Sequence, residues 1–276
     1  MRGSDLHTCA FDELASTYDE TFTDTVVGRT LRGMVWARMA LAFRPGQRIL
    51  ELGCGTGEDA VRLAEAGVRV VATDPSARML QVARAKAAAR DCQATIEFRC
   101  AAMEDLRSLA REERFDGVFS NFGAVNCVGD LRALVTDLAD RLAPGAPLLW
   151  VVMGRHVPWE WVWFLSKGSW GKAWRRLQAG GTPWRGLTIS YPTPAQLSSL
   201  LRPHFAVKRL APLGAVLPPS YAARWLDRSP RTAAMLARLE SWAQHAPALA
   251  YCSDHFMIEA TRSPLGRTSA PERELP

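Results

Sequence analysis

Ile49-Leu50-Glu51-Leu52-Gly53-Cys54-Gly55-Thr56-Gly57-Glu58 reads as a buried strand running into a glycine turn. Arg48 to Leu52 supplies the strand, glycines alternate at 53, 55 and 57, and Ala60-Val61-Arg62-Leu63-Ala64 opens a helical period. Glycine permits positive φ and lets backbone approach a ligand with no Cβ in the way. A strand, a glycine turn and a helix N-terminus in that order predict a nucleotide-sized pocket.

Outward from that turn, strand and helix alternate. The second strand is Val68 to Thr73, ending at Asp74, and Ser76 to Arg90 is a helix with Ala77, Leu80, Ala83 and Ala87 on its apolar face. Ala94 to Cys100 is a third strand, followed by a short helix near Glu104 to Arg111. Phe115 to Ser120 is a fourth strand, Asp130 to Leu142 a helix and Pro147 to Met153 a fifth strand. Such alternation with short loops makes a parallel sheet covered by helices on both faces, with ligands outside the carboxyl ends of its strands. Asp74, Met103-Glu104 and Asn121 fall at or just past successive strand ends, beside the glycine turn.

Upstream, Phe11 to Phe22 and Gly28 to Phe43 carry helical spacing and are expected to cover one edge of the pocket. Downstream, Thr193 to Leu201 reads as a helix, Phe205 to Leu210 as strand six and Asp254 to Thr261 as strand seven. Two segments break the rhythm. Residues 155–188 are rich in Trp, Lys and Arg, and 218–247 are helical in pattern. The division expected is 1–46 as N-terminal helices, 47–154 as core, 155–188 and 214–247 as cap insertions, 189–213 and 248–262 as the rest of the sheet, and 263–276 as a flexible tail.

The bulk properties exclude more than they select. The chain has 276 residues, 48% hydrophobic and 22% charged, with net charge +6. This suits a soluble globular protein with a full core. The six cysteines form no CxxC pair and have no histidine at zinc-finger spacing, so they read as reduced thiols of a cytoplasmic protein that holds no metal. Neither a signal peptide nor an apolar span of membrane length stands out. No familiar nucleic-acid reading motif is found.

The ordered motifs resemble the class I S-adenosylmethionine (SAM) dependent methyltransferases. They are Glu51-x-Gly53-x-Gly55-x-Gly57, Asp74, Ala102-Met103-Glu104-Asp105-Leu106 and Phe115-Asp116-Gly117-Val118-Phe119-Ser120-Asn121, and they cover roughly residues 10 to 153. A dinucleotide-binding fingerprint wants two residues between its second and third glycines, where this turn has one. The resemblance implies an α/β, doubly wound, seven-stranded Rossmann-like sheet, six strands parallel and the last antiparallel, with helical cap insertions.

It also implies roles. Gly53 and Gly55 let the backbone touch the methionine and ribose parts of SAM. Glu51 supplies negative charge near the amino-acid end, or else caps the turn. Asp74 accepts the ribose hydroxyls, or else caps the next helix. Met103 offers its N–H to adenine, with Pro75 and Met79 on the ring, unless the methionines are simply core. Many relatives carry an acid at the position of Ala102, and Glu104 is the substitute here. Asn121 meets the ammonium through its carbonyl. Tyr18, in Ala15-Ser16-Thr17-Tyr18-Asp19, is similar to a tyrosine that closes over SAM.

The acceptor is less legible. Asn121 is followed by Phe122-Gly123-Ala124, not the Pro-Pro-aromatic run of DNA amino-methylating enzymes. Asp130 alone is a poor metal ligand and reads as an N-cap. His156 and Tyr191 are candidate bases; His204, His245 and His255 rank behind them, and Asp254-His255 reads as a turn. The Trp-rich insertion is either a cap over an apolar acceptor or an interfacial element making peripheral membrane contact. The leading expectation is O-methylation of a small or carrier-bound apolar molecule. C-methylation of a lipid or quinone-like ring and a non-catalytic SAM-binding protein are the alternatives.

Overall fold

The computed structural model describes residues 11–108 and 113–264. Cys9, the 109–111 end of the short helix and the expected tail from 265 onward lie outside the described residues.

Seven strands form one sheet. They are β1 (Arg48–Leu52), β2 (Arg69–Asp74), β3 (Ile96–Cys100), β4 (Gly117–Ser120), β5 (Pro147–Met153), β8 (Phe205–Leu213) and β9 (His255–Arg262), in the order β3-β2-β1-β4-β5-β9-β8. A separate hairpin pairs β6 (Thr182–Trp184) with β7 (Leu187–Ile189). Within the seven-stranded sheet β9 is antiparallel to both its neighbours and the other pairings are parallel. The expected six-plus-one sheet is therefore observed.

Period-two alternation explains why the central strands are buried on both faces. Ile49, Phe119, Leu149 and Val151 point into one core, with Val35 and Met39 of helix α1 (Val26–Ala42) and Phe43 just past its end. Leu50, Leu52, Val118, Trp150 and Val152 point into the other. The strand order reverses between β1 and β4, so their carboxyl ends open a crevice at the switch point.

Helices α2 (Glu58–Glu65), α3 (Ala77–Ala89) and α4 (Leu131–Arg141) make the crossovers. Asp130 caps α4 by accepting from the N–H groups of Arg132 and Ala133. Helix α5 (Pro158–Ser166), the short α6 (Trp170–Ala173) and the β6–β7 hairpin fill the first insertion. Helix α7 (Pro194–Leu201) carries a full capping box from Thr193 and Gln196. Helix α8 (Pro230–Ala243) follows two 3-10 turns in the second insertion.

Three expectations need correction. Phe11 to Phe22 is not one helix: turns cover Glu13–Thr17, and a π-helix spans Asp19–Thr23. Tertiary hydrogen bonds override the local period there. Asp12 accepts from Ser76 Oγ, and Asp19 accepts from Thr56 Oγ1 at 2.7 Å. The expected helical stretch across 218–247 is regular only in α8. Strand six runs three residues further, to Leu213, because β9 supplies a partner along that length.

Candidate functional site

A cavity of about 350 Å³ lies at the switch point. Its size suits a small-molecule site. Tyr18, Gly53, Gly55, Asp74, Pro75, Met79, Met103, Glu104 and Asn121, all singled out on sequence, line it together. Glu51, Gly57 and His156 are not in its wall.

The turn after β1 explains its two cavity glycines differently. Gly53 has φ +67, and a Cβ there would sit 2.4 Å from the Ala124 Cβ and 2.9 Å from Met103 Cε. Gly55 has φ +53, and a Cβ there would meet no protein atom within 4 Å. Backbone at 55 thus borders open cavity. Gly57 is the left-handed N-cap of α2, packed against Ala83.

Asp74 ends β2 and is buried. Its Oδ2 accepts from Gly55 N and its Oδ1 from Ser76 N, both at 2.9 Å. A carboxylate has about four lone-pair sites, so each oxygen keeps capacity for a further donor. Burial raises its pKa to about 6, against the pull of these two N–H groups. Ser76, not Asp74, is the N-cap of α3.

Asn121 is held by its neighbours. Its Nδ2 donates to Asp59 Oδ2 at 2.8 Å, and its Oδ1 accepts from Phe122 N at 2.9 Å. Asp59 also accepts from Arg32 and, at 2.7 Å, from Trp36 Nε1. This knot joins α1, α2 and the end of β4. The Arg32 guanidinium stacks over the Phe122 ring at 4.9 Å. Phe122 itself has φ +42, a rare conformation for an aromatic residue, of the kind that persists where surrounding contacts enforce it.

Glu51 is buried, and its Oε2 has no hydrogen-bond partner among the described residues. Burial, reinforced by nearby Asp59, holds its carboxyl well above the usual range. Glu104 lines the cavity while accepting from Gly129 N at 3.3 Å. His156 packs edge-on to Trp161, with ring centroids 6.4 Å apart. Tyr191 does line the cavity, and burial raises its phenol pKa.

Several wall residues escaped sequence reading. Phe11, Leu14, Phe122, Cys127, Met153, Arg175, Trp184 and Ile189 are among them. Burial pushes the Cys127 thiol up to about 12, so it stays protonated. The aromatic-glycine pair after Asn121 and the Trp-rich insertion that holds Arg175 and Trp184 carried a signal at sequence level. The others are brought in by the N-terminal segment and by the hairpin, through contacts such as Phe11 against Trp184 at 5.2 Å.

These residues fit S-adenosylmethionine. A buried carboxylate with spare lone pairs suits a ribose diol. Open space over Gly55 admits a ligand against the backbone. Among the described residues there is no cluster of three or more metal-ligating side chains, and no helix is long and apolar enough to cross a membrane.

Comparison with known proteins agrees with the core. Residues 49–145 match a family described as a methyltransferase domain. A demethylmenaquinone methyltransferase of Clavibacter sepedonicus is 37% identical, over 50% of this chain and 54% of its own length. A ubiquinone biosynthesis O-methyltransferase of Cereibacter sphaeroides is 32% identical, over 57% of this chain and 59% of its own. The chain thus spans little more than half the length of these relatives. Among solved structures, the cyclase SpnF superposes with TM-score 0.62 at 16% identity, covering 96% of this chain and 97% of its own, a likeness of fold alone. Residues 49–145 are thus a methyltransferase domain by the family match, and the ordered motifs and seven-stranded sheet around them are those of the class I S-adenosylmethionine-dependent methyltransferases.

Proposed function

We propose that this protein transfers the methyl group of S-adenosylmethionine to a small or carrier-bound apolar acceptor of quinone-like character, at oxygen. One observation carries the reading: a single cavity runs from Gly55 and Asp74 to a largely apolar end at Met153, Trp184 and Ile189. The first part suits the donor and the second an apolar ring or chain. The named activities of the two sequence relatives support the acceptor class.

In this reading Asp74 binds the ribose, Gly53 and Gly55 admit the methionine part, and Met79, Pro75 and Met103 flank the adenine. Tyr18, with the segment it belongs to, excludes water. Bound SAM supplies an electrophilic methyl on a sulfonium. The chain supplies orientation and a dry cavity, which account for much of the acceleration in such a displacement. The first insertion acts mainly as a cap, because Trp184 and Ile189 of its hairpin line the cavity. Trp170 stays two-thirds exposed, and a peripheral membrane contact through that side of the insertion is the competing reading. The unpaired thiols are consistent with a cytoplasmic protein.

The fold neighbour SpnF is a cyclase, so fold by itself does not assign methyl transfer. Calorimetry with SAM and its demethylated product tests the donor site; absence of binding to either sinks the reading. Incubation with methyl-labelled SAM and a short-chain quinol, followed by NMR of the product, tests the methylated atom. A carbon-bound methyl overturns the oxygen assignment.

A further inference from the structure

A second, more polar cavity adjoins the first. Leu14, Tyr18, Phe122, Met153 and Arg175 belong to the walls of both. Its far side is built on Glu160, the one acidic residue in 155–188. Glu160 is fully buried and accepts from Arg175 Nη2 at 2.6 Å, from Arg176 Nη2 at 2.8 Å and from Tyr221 OH at 2.8 Å. Arg176 also donates to Asp254 Oδ1 at 2.7 Å. The other oxygen of that carboxylate, Oδ2, lies 3.3 Å from His255 Nδ1.

The charges decide which group can receive a proton. Glu160 and Asp254 are balanced by Arg175 and Arg176. Burial opposes the charge on Asp254, but His255 and Arg176 outweigh it and hold the carboxyl well below the usual range. Nδ1 is buried and makes no hydrogen bond, and the Asp254 carboxylate beside it favours a ring proton on that nitrogen. The lone pair then sits on Nε2, which has no hydrogen-bond partner among the described residues. His255 lines the second cavity, and its ring meets Phe122 edge-on, 5.6 Å between centroids. Phe122 thus stands in the walls of both cavities and touches the imidazole.

We propose that the second cavity holds the reacting end of a neutral hydroxyl acceptor, a phenol or enol, and that His255 Nε2 takes its proton. This rests on the donor assignment made above. The acceptor O–H proton passes to Nε2 as the new O–CH3 bond forms. The bond from methyl carbon to sulfur breaks, its electron pair stays on sulfur, and a neutral thioether leaves. The positive charge moves from sulfonium to imidazolium, where Asp254 stabilises it, and the proton then passes to solvent. A carboxylate acceptor has no proton to give, so His255 would have no part in its methylation.

The other titratable groups facing this cavity are Tyr18 and Glu20 from the N-terminal segment, Tyr221, and Asp227 and Arg228 from the second insertion. Asp227 is already engaged by Val26 N at 3.2 Å. None but His255 presents an unpaired imidazole nitrogen.

Two measurements on the full chain test this. Diethyl pyrocarbonate followed by peptide mass spectrometry reads the cavity-facing nitrogen without any acceptor. His255 should be carbethoxylated, and more slowly in Asp254→Asn. No modification at His255 overturns the proposal. The second uses His255→Gln with SAM and a short-chain hydroxylated quinol. SAM affinity should stay within about twofold while turnover falls by roughly 100-fold or more. The deficit should shrink as pH rises and the phenol ionises unaided. Wild-type turnover with an unchanged pH profile overturns the assignment. If the wild type fails to bind SAM, the donor reading fails instead; if it binds SAM but leaves the quinol untouched, the acceptor class fails. In either case the carbethoxylation result still decides His255.

Discussion

Gly53 and Gly55 sit two residues apart in one turn, yet a methyl group at each meets different things. At Gly53 it strikes Ala124 and Met103; at Gly55 it enters open cavity. Gly55→Ala should cost about 1 kcal/mol of stability for its positive φ. Its main effect should be on SAM affinity, lowered tenfold or more by calorimetry. Gly53→Ala should instead lower the unfolding midpoint further, because protein atoms must move. Asp74 makes a pH prediction. Burial raises its pKa to about 6 in the free protein. Hydroxyl donors favour the ionised form, so binding lowers that pKa. SAM affinity should then be constant above pH 6 and fall as pH drops through it, by up to about tenfold per unit. Titration calorimetry from pH 8 to 5 reads this, and Asp74→Asn should remove the dependence along with most of the affinity.

Elements were legible where their signal was local. β1, β5 and α7 start and stop as their alternation, glycines and capping residues indicate. The 11–23 segment was not legible, because its shape is set by partners far along the chain. Asp19 accepts from Thr56 Oγ1 and pairs with Lys86 Nζ at 2.9 Å, which ties the π-helix to the glycine turn and to α3. Asp19→Ala should therefore loosen the cover over the cavity, speeding amide exchange across Tyr18–Thr23 and weakening SAM binding several-fold. Global stability should change by less than about 1 kcal/mol, since the pair is partly exposed. Helix α8 has a comparable anchor. Its buried Glu240 accepts four successive backbone N–H groups, from Gly214 to Leu217, at 2.8 to 3.2 Å. Glu240→Ala strands all four donors and should cost at least about 3 kcal/mol by urea denaturation.

At the scale of the molecule, the two insertions and the end of the sheet are joined through Glu160. It binds Arg175 and Arg176 within its own insertion and Tyr221 in the other, while Arg176 reaches the Gly154 carbonyl and Asp254 beside β5 and β9. Glu160→Ala leaves the Arg175 and Arg176 guanidinium groups with only Asp254 to balance them. It should cost on the order of 3–5 kcal/mol, read as a lower urea midpoint. His255 also belongs to this scale. From the sequence, Asp254-His255 looked like a turn before the last strand. Only the pairing of β9 between β5 and β8, opposite Met153 and Leu213, carries that histidine to the cavity.

The sequence by itself determined the sheet, the glycine turn and the row of strand-end residues from Asp74 to Asn121. These depend on backbone conformations and on period-two burial, which neighbouring residues encode. Tertiary structure alone decided the far wall of the cavity, the place of Phe122 in both cavity walls and the placing of His255, not His156, at the second cavity. Those groups meet across separations of more than a hundred residues, through buried hydrogen bonds and ion pairs whose partners no local pattern specifies.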